Sequence, residues 1–183
     1  MTKGVEGQVV IITGAAGNLG QAVAQAFQAA GASTVLVDRS TQRLQSLYGA
    51  IGDDERHLLA GEIDLTSEKA VRDLVSAVIA RFGKVNALVN TVGAFRGGQA
   101  SHEEPLETLD FLMTVNVRTA LICSRAVIPH MLAAESGRIV NIISRNAFQG
   151  AANYGAYSAV KAALLRLTES MAAELNDQGI NVN

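Results

Sequence analysis

Apolar positions in this chain follow two alternating rhythms. Five short runs, VVIIT (9–13), STVLVD (33–38), HLLAGEID (57–64), VNALVNT (85–91) and RIVNIIS (138–144), are mostly continuously apolar and rich in β-branched residues. That pattern predicts strands of a parallel sheet covered on both faces. Between the runs, apolar residues recur every three or four positions. Leu19, Ala22, Val23, Ala26, Phe27 and Ala30 form one stripe, and Val71, Leu74, Val75, Val78, Ile79 and Phe82 form another, the spacing of amphipathic helices. Two longer helical segments follow. One runs from Pro105 into the 130s, with a bend expected at Pro129, and the other from Tyr157 to about Asp177, with Val160, Leu164, Leu167, Met171 and Leu175 as its buried stripe. The closing GINVN reads as the opening of a sixth strand, so further chain is expected beyond it.

Alternation of this kind, without a linker or repeat, predicts one domain over residues 1–183. The fold class is α/β, a doubly wound parallel sheet in a three-layer α/β/α sandwich. Such a sheet binds ligands outside the carboxyl ends of its strands, so chemistry belongs to the residues just after each one.

Composition narrows the partners. The chain is 49% hydrophobic and 17% charged, with a net charge of -2, and has no excess cation for nucleic acid or anionic lipid. Its apolar stretches are short of a membrane span or broken by charge, and the polar opening MTKGVEGQ lacks the apolar core of a targeting segment. A cytoplasmic protein without nucleic-acid or membrane partners is expected. The single cysteine, Cys123, stands in an apolar helical context and reads as packing. His57, His102 and His130 stand apart, at no metal-ligand spacing, so no metal site is expected.

After the first run comes TGAAGNLG, in which Gly14, Gly17 and Gly20, with Asn18 and Leu19 between them, open a helix. Glycines let the backbone turn tightly against a pyrophosphate, whose charge the free amides and positive helix end hold. The spacing G-x-x-G-x-x-G departs from the strict dinucleotide fingerprint, and a tight structural turn also accounts for it. Asp38 ends the second run, 18 residues beyond Gly20, where a dinucleotide fold places an acid on the adenosine ribose hydroxyls. A carboxylate there favours NAD over NADP, while the adjacent Arg39, able to pair with a 2′-phosphate, keeps NADP open. The plainer alternatives are a helix N-terminal acid and a solvated cation. Asp64, followed by Leu65 in EIDLTSE, is positioned to meet the adenine amine, although helix capping by Thr66 or Ser67 explains the polar cluster equally.

Residues 154–161 read YGAYSAVK. Tyr157 and Lys161 are one helical turn apart and emerge on one face. A phenol ordinarily holds its proton up to a pH of ~10, and a nearby ammonium favours phenolate, making Tyr157 a proton donor and acceptor. Ser144, closing the fifth run, is placed to hold a carbonyl beside it. Tyr154 lacks a lysine one turn on, so packing or substrate contact is its expected role. Arg96 in GAFRGG meets either an acidic substrate or solvent, and the acids of SHEEPLET read as capping for the helix they begin.

Taken together, the Tyr157-Ser-Ala-Val-Lys161 spacing, Ser144 thirteen residues before the tyrosine and Asn116 in TVNVRTA resemble the short-chain dehydrogenase/reductase family. The likeness is to its compact branch, which includes the 3-oxoacyl-carrier-protein reductases, and it extends over essentially the whole chain. This resemblance implies a Rossmann fold, a nicotinamide cofactor and a Ser-Tyr-Lys-Asn tetrad acting on a small carbonyl or alcohol. Tyr157 would exchange the proton, Lys161 would hold the nicotinamide ribose and tune the phenol, Ser144 would orient the carbonyl, and Asn116 would position a water linking Lys161 to solvent. A purely structural Asn116 is the alternative. Two departures stand out. Asn18 occupies the place of the family's middle glycine, a spacing similar to the extended branch that includes sugar-nucleotide epimerases. The family's N-N-A-G appears as Asn90-Thr91-Val92-Gly93, in which Asn90 is expected to tie the sheet to the cofactor side. Family members also continue past INVN into a turn on the nicotinamide, a substrate lid and a last strand. The resemblance implies a homodimer or homotetramer built on the two long helices. Besides the oxidoreductase, an extended-branch epimerase or dehydratase and a non-catalytic nucleotide-binding fragment stay open.

Overall fold

The computed structural model describes residues 4–183; the first three residues, part of the polar opening MTKGVEGQ, lie outside the described residues. Six parallel strands form one sheet: β1 (Val9–Thr13), β2 (Ser33–Val37), β3 (His57–Ala60), β4 (Ala87–Asn90), β5 (Gly137–Asn141) and β6 (Ile180–Val182). Their order is β3-β2-β1-β4-β5-β6. The winding direction reverses between β1 and β4, which opens a crevice at their carboxyl ends.

Strand alternation sorts the core into two layers. Val9 and Ile11 of β1, with Val35 and Val37 of β2, face a layer containing α3 (Glu68–Phe82), α5 (Thr119–Ala133) and α6 (Gly155–Leu175). Val10, Ile12 and Leu36 face the opposite layer, made by α1 (Asn18–Ala29) and α2 (Thr41–Tyr48). The sequence pattern predicts coverage on both faces throughout, and β1, β2 and β4 have it. At the far edge the expectation fails: in β5 Arg138 and Val140 are exposed, and in β6 Asn181 is. Those two strands pack a helix layer on one face only.

Local chemistry sets the ends of α3. Ser67 caps it by accepting the Ala70 amide at 3.3 Å, and Gly83 closes it in the left-handed region at φ 74°, a conformation that a side chain would strain. Its predicted stripe of Val71, Leu74, Val75 and Val78 is buried. The stripe predicted for α1 is rotated. Gly20 and Ala24 face inward, and the predicted Val23 and Phe27 pack partly buried against the same layer, whereas Leu19, Ala22 and Ala26 are exposed, because the helix closes onto the preceding loop through its smallest residues. No apolar stripe announces α2, whose Ser40 cap and two buried side chains, Leu44 and Tyr48, make it a short element.

HLLAGEID is strand only as far as Ala60. Gly61 lies hard against Thr41, and Glu62 takes φ 58°, so the chain turns out of the sheet there. RIVNIIS likewise stops at Asn141, three residues before Ser144. The segment from Leu106 is α4 (Leu106–Met113), a π-helical turn (Thr114–Arg118) and α5, which continues through Pro129. Within the helical run Leu106–Ala133, a window of 18 residues has a mean hydropathy of 1.4, long and apolar enough by length and composition alone to cross a membrane. Leu112, Ile122, Val127 and Met131 of this run are buried inside the fold.

Cys123 is buried on α5, and desolvation pushes its thiol up to about 12. A thiol-specific reagent at mildly alkaline pH is therefore expected to leave the native protein unmodified and to titrate one thiol after denaturation. Stoichiometric reaction of the native chain would contradict the packing.

Candidate active site

The glycine loop begins where β1 ends. Gly14 has φ 66° and faces Val92 and Thr91, whose atoms would stand 3.0 and 3.1 Å from a Cβ at that position. Thr91 also donates its hydroxyl to the Thr13 carbonyl at 2.6 Å. Threonine and valine at 91 and 92 are thus the packing that fixes the loop to β4. Gly17 is the N-cap of α1, with neither a side-chain cap nor an acid in the first turn. This helix end thus carries no cap and no acid of its own, which leaves its first amides for an anion. Gly20 lies against the Gly14 carbonyl, leaving no room for a side chain.

Three side chains brace the loop from the β2–α2 side. Tyr48 donates its hydroxyl to the Ala15 carbonyl at 2.8 Å, and Arg43 donates Nη2 to the Ala16 carbonyl at 2.6 Å. Asp38 accepts the Ala16 amide at 3.1 Å and the Ser40 amide at 3.2 Å, one on each oxygen. An ionised carboxylate has about four acceptor positions, so two amides hold Asp38 rigid without saturating it. Burial, reinforced by the Asp38 charge, raises the Tyr48 pKa and keeps that hydroxyl a donor.

From this loop a crevice of about 330 Å³ extends along the carboxyl ends of the strands. Gly14, Gly17, Asp38, Arg39, Asp64, Leu65 and Gly93 all line it. Asn18, Leu19 and Gly20 belong to the first turn of α1 and are not part of this wall. Asn90 is also absent from it. Its side chain is buried and donates to Asn141 at 2.9 Å, and Asn141 donates to Thr168 at 2.9 Å, so Asn90 ties β4 to β5 and α6 within the core. The opposite wall, Phe111, Val115 and Thr119, is one the sequence reading missed. Their spacing of four along one helical run is the signal that could have revealed it.

Asp64 accepts both the hydroxyl (2.7 Å) and the amide (2.9 Å) of Thr66. These bonds, with a smaller contribution from Arg39, hold its carboxyl below the usual carboxylate value. Of the two capping candidates, Ser67 and not Thr66 caps α3.

Asn116, Ser144, Tyr157 and Lys161 do not line this crevice themselves; Asn116 and Lys161 stand behind Gly93, which does. Lys161 is only 5% exposed; its Nζ donates to the Ile142 carbonyl at 2.9 Å and lies 5.9 Å from the centre of the Tyr157 ring. Burial lowers the lysine pKa. Asn116, buried in the π turn, grips Ala94 from both sides: it accepts the Ala94 amide at 3.3 Å and donates to the Ala94 carbonyl at 3.0 Å, while also donating to Leu112 at 3.0 Å. A Cβ on Gly93 would come within 2.9 Å of Asn116 Oδ1 and 3.6 Å of Lys161 Nζ. Crevice, amide and ammonium therefore meet at one glycine. Irregular π turns often serve to aim such side chains.

Tyr157 is half-buried in the first turn of α6, and Ser144 begins the short turn Arg145–Ala147 that packs against this helix, accepting the Asn146 amide at 3.3 Å. Glu104 of SHEEPLET does not cap its own helix: it accepts the Ala156 amide at 3.2 Å and so caps α6 from another segment. Arg96 is exposed, as the solvent alternative has it, and lies over the Phe111 ring at 3.7 Å. Among the described residues, no group of three or more His, Cys, Asp or Glu is placed to hold a metal.

Residues 8–183 match the family model described as short chain dehydrogenase. The chain is 34% identical over 182 residues to 2-(R)-hydroxypropyl-CoM dehydrogenase of Xanthobacter autotrophicus, covering 96% of this chain and 72% of that protein. A solved short-chain dehydrogenase from Streptomyces avermitilis superposes with a TM-score of 0.87 at 34% identity, over 97% of this chain and 64% of its own. Xylitol dehydrogenase, solved with NAD+ bound, gives 0.89 at 32% identity, over 99% of this chain and 70% of its own.

Proposed function

The chain belongs to the short-chain dehydrogenase family, and from that premise we propose that it interconverts a ketone and a secondary alcohol with a nicotinamide cofactor. The observation that carries this reading is the convergence of Asn116 Oδ1 and Lys161 Nζ on Gly93, which lines the same crevice as the glycine loop. The residues fit a dinucleotide: the loop leaves no room for side chains at Gly14 and Gly20, the first turn of α1 carries no cap and no acid of its own, and Asp38 is fixed at the wall with acceptor capacity remaining.

A bound nicotinamide supplies hydride to the carbonyl carbon, or takes it from the alcohol. Tyr157 gives its hydroxyl proton to the carbonyl oxygen during reduction and takes it back during oxidation. The buried ammonium of Lys161, fixed by the Ile142 carbonyl, stabilises the phenolate left behind. Ser144 donates a hydrogen bond to the same substrate oxygen, and Asn116 holds the Gly93–Ala94 backbone beside the ammonium. Incubating the protein with reduced nicotinamide and a panel of ketones, and following cofactor absorbance, tests the reading. Turnover supports it; absence of nicotinamide binding overturns it.

Asp38 favours NAD, and the NAD+-bound neighbour supports that preference. Asp38→Asn keeps an acceptor for only one of the two amides that Asp38 now holds, and it removes the charge that repels a 2′-phosphate beside Arg39. Charged hydrogen bonds contribute about 1.5–3 kcal/mol, so the NAD-to-NADP ratio of kcat/KM is expected to fall about 10- to 100-fold. An unchanged ratio would remove Asp38 as the selector.

A further inference from the structure

We infer that Phe95 and Tyr154 form an aromatic wall beside the reacting carbon, which selects ketones and alcohols carrying a flat, apolar, aryl-sized substituent; this rests on the oxidoreductase reading and narrows its substrate class. Phe95 stands two residues after Gly93, where the crevice meets Lys161 and Asn116. Its ring meets Tyr157 edge-on, with centroids 4.9 Å apart and an interplanar angle of 88°, and lies tilted at 31° to Tyr154 at 5.2 Å. Despite those contacts Phe95 is 53% exposed and Tyr154 38%, so both rings retain open surface next to the proton donor.

That surface is held in place from both sides. Asn116 clamps Ala94 on the N-terminal side of Phe95. On the other side the Gly98 amide donates to the Asn153 carbonyl at 2.8 Å, next to Tyr154. Between these pins a Cβ on Gly97 would stand 2.9 Å from that carbonyl and 3.1 Å from the Phe95 ring, so the glycine allows the strands of the loop to close. Fixed aromatic surface adds affinity for a second ring through offset or edge contacts. The nearest cation in sequence, Arg96, is laid over Phe111 and does not head the wall. An apolar planar group, rather than an anion, matches what remains.

The test compares acetophenone with butanone on the wild-type chain, Phe95→Ala, Phe95→Tyr and Tyr154→Ala. Phe95→Ala is expected to lower the acetophenone-to-butanone ratio of kcat/KM about tenfold, mainly through the acetophenone KM, as loss of an aromatic contact and its buried area implies. Phe95→Tyr should restore the ratio, and Tyr154→Ala should lower it less. An equal fall for both ketones assigns Phe95 to the packing of Tyr157 alone and overturns the inference, as does an unmoved ratio. If neither ketone is reduced, nicotinamide binding decides the oxidoreductase reading separately, and saturation-transfer NMR with acetophenone decides the wall. A signal lost in Phe95→Ala sustains it, whereas a signal that persists, or is absent from the wild-type chain, overturns it.

Discussion

Tyr157→Phe is expected to lower kcat for carbonyl reduction by about 10²- to 10⁴-fold, the usual contribution of a positioned proton donor, while nicotinamide affinity changes by no more than a few-fold. The substitution removes one oxygen and little else. Phenylalanine keeps the edge contact with Phe95 and leaves the Lys161–Ile142 and Asn116–Ala94 bonds untouched. Steady-state rates with a reducible ketone, together with cofactor titration, separate the two effects. Undiminished turnover would mean that the proton comes from another group, and the assignment of Tyr157 would fall.

The second large effect is expected at Gly20. A Cβ there would run into the Gly14 carbonyl and stand 2.8 Å from Ala15 Cα, all backbone atoms that cannot rotate away. Gly20→Ala must therefore lift the first turn of α1 off the loop, displacing the amides offered to the pyrophosphate. Overpacking of this kind costs about 1–3 kcal/mol of stability, and the lost phosphate geometry is expected to weaken nicotinamide binding at least about 100-fold, near 2.7 kcal/mol. Gly49→Ala is the control, since nothing lies within 4 Å of its Cβ and its φ is -55°. Thermal melting and cofactor titration of both variants check the contrast. Wild-type affinity in Gly20→Ala would show that the close approach is not what shapes the loop.

What the sequence reveals of this molecule depends on the range of the interaction. β1, the α3 stripe, the glycine loop, Asp38 at the end of β2 and the Tyr157–Lys161 pair are legible because strand alternation, helical spacing and strand-to-loop order are local. The early end of β3 is less so, since a packing contact between Gly61 and Thr41 sets it from a different element. Asn90 faces the core because Asn141 and Thr168 wait there as partners, a meeting of three elements that spacing cannot disclose. Glu104 capping α6 across 52 residues, and Arg43 bracing the loop across 27, are equally products of the assembled fold. The π turn that aims Asn116 has no marker residue of its own, although its wall mates Phe111, Val115 and Thr119 keep a readable period of four.

The chain contains no tryptophan and three tyrosines. Tyr48 is anchored beneath the glycine loop through Ala15, while Tyr154 and Tyr157 flank Phe95. Excited above the phenylalanine band, this chain therefore emits from three phenols alone, one beneath the glycine loop and two beside Phe95. Quenching of that emission can follow occupancy beside either group with no label attached.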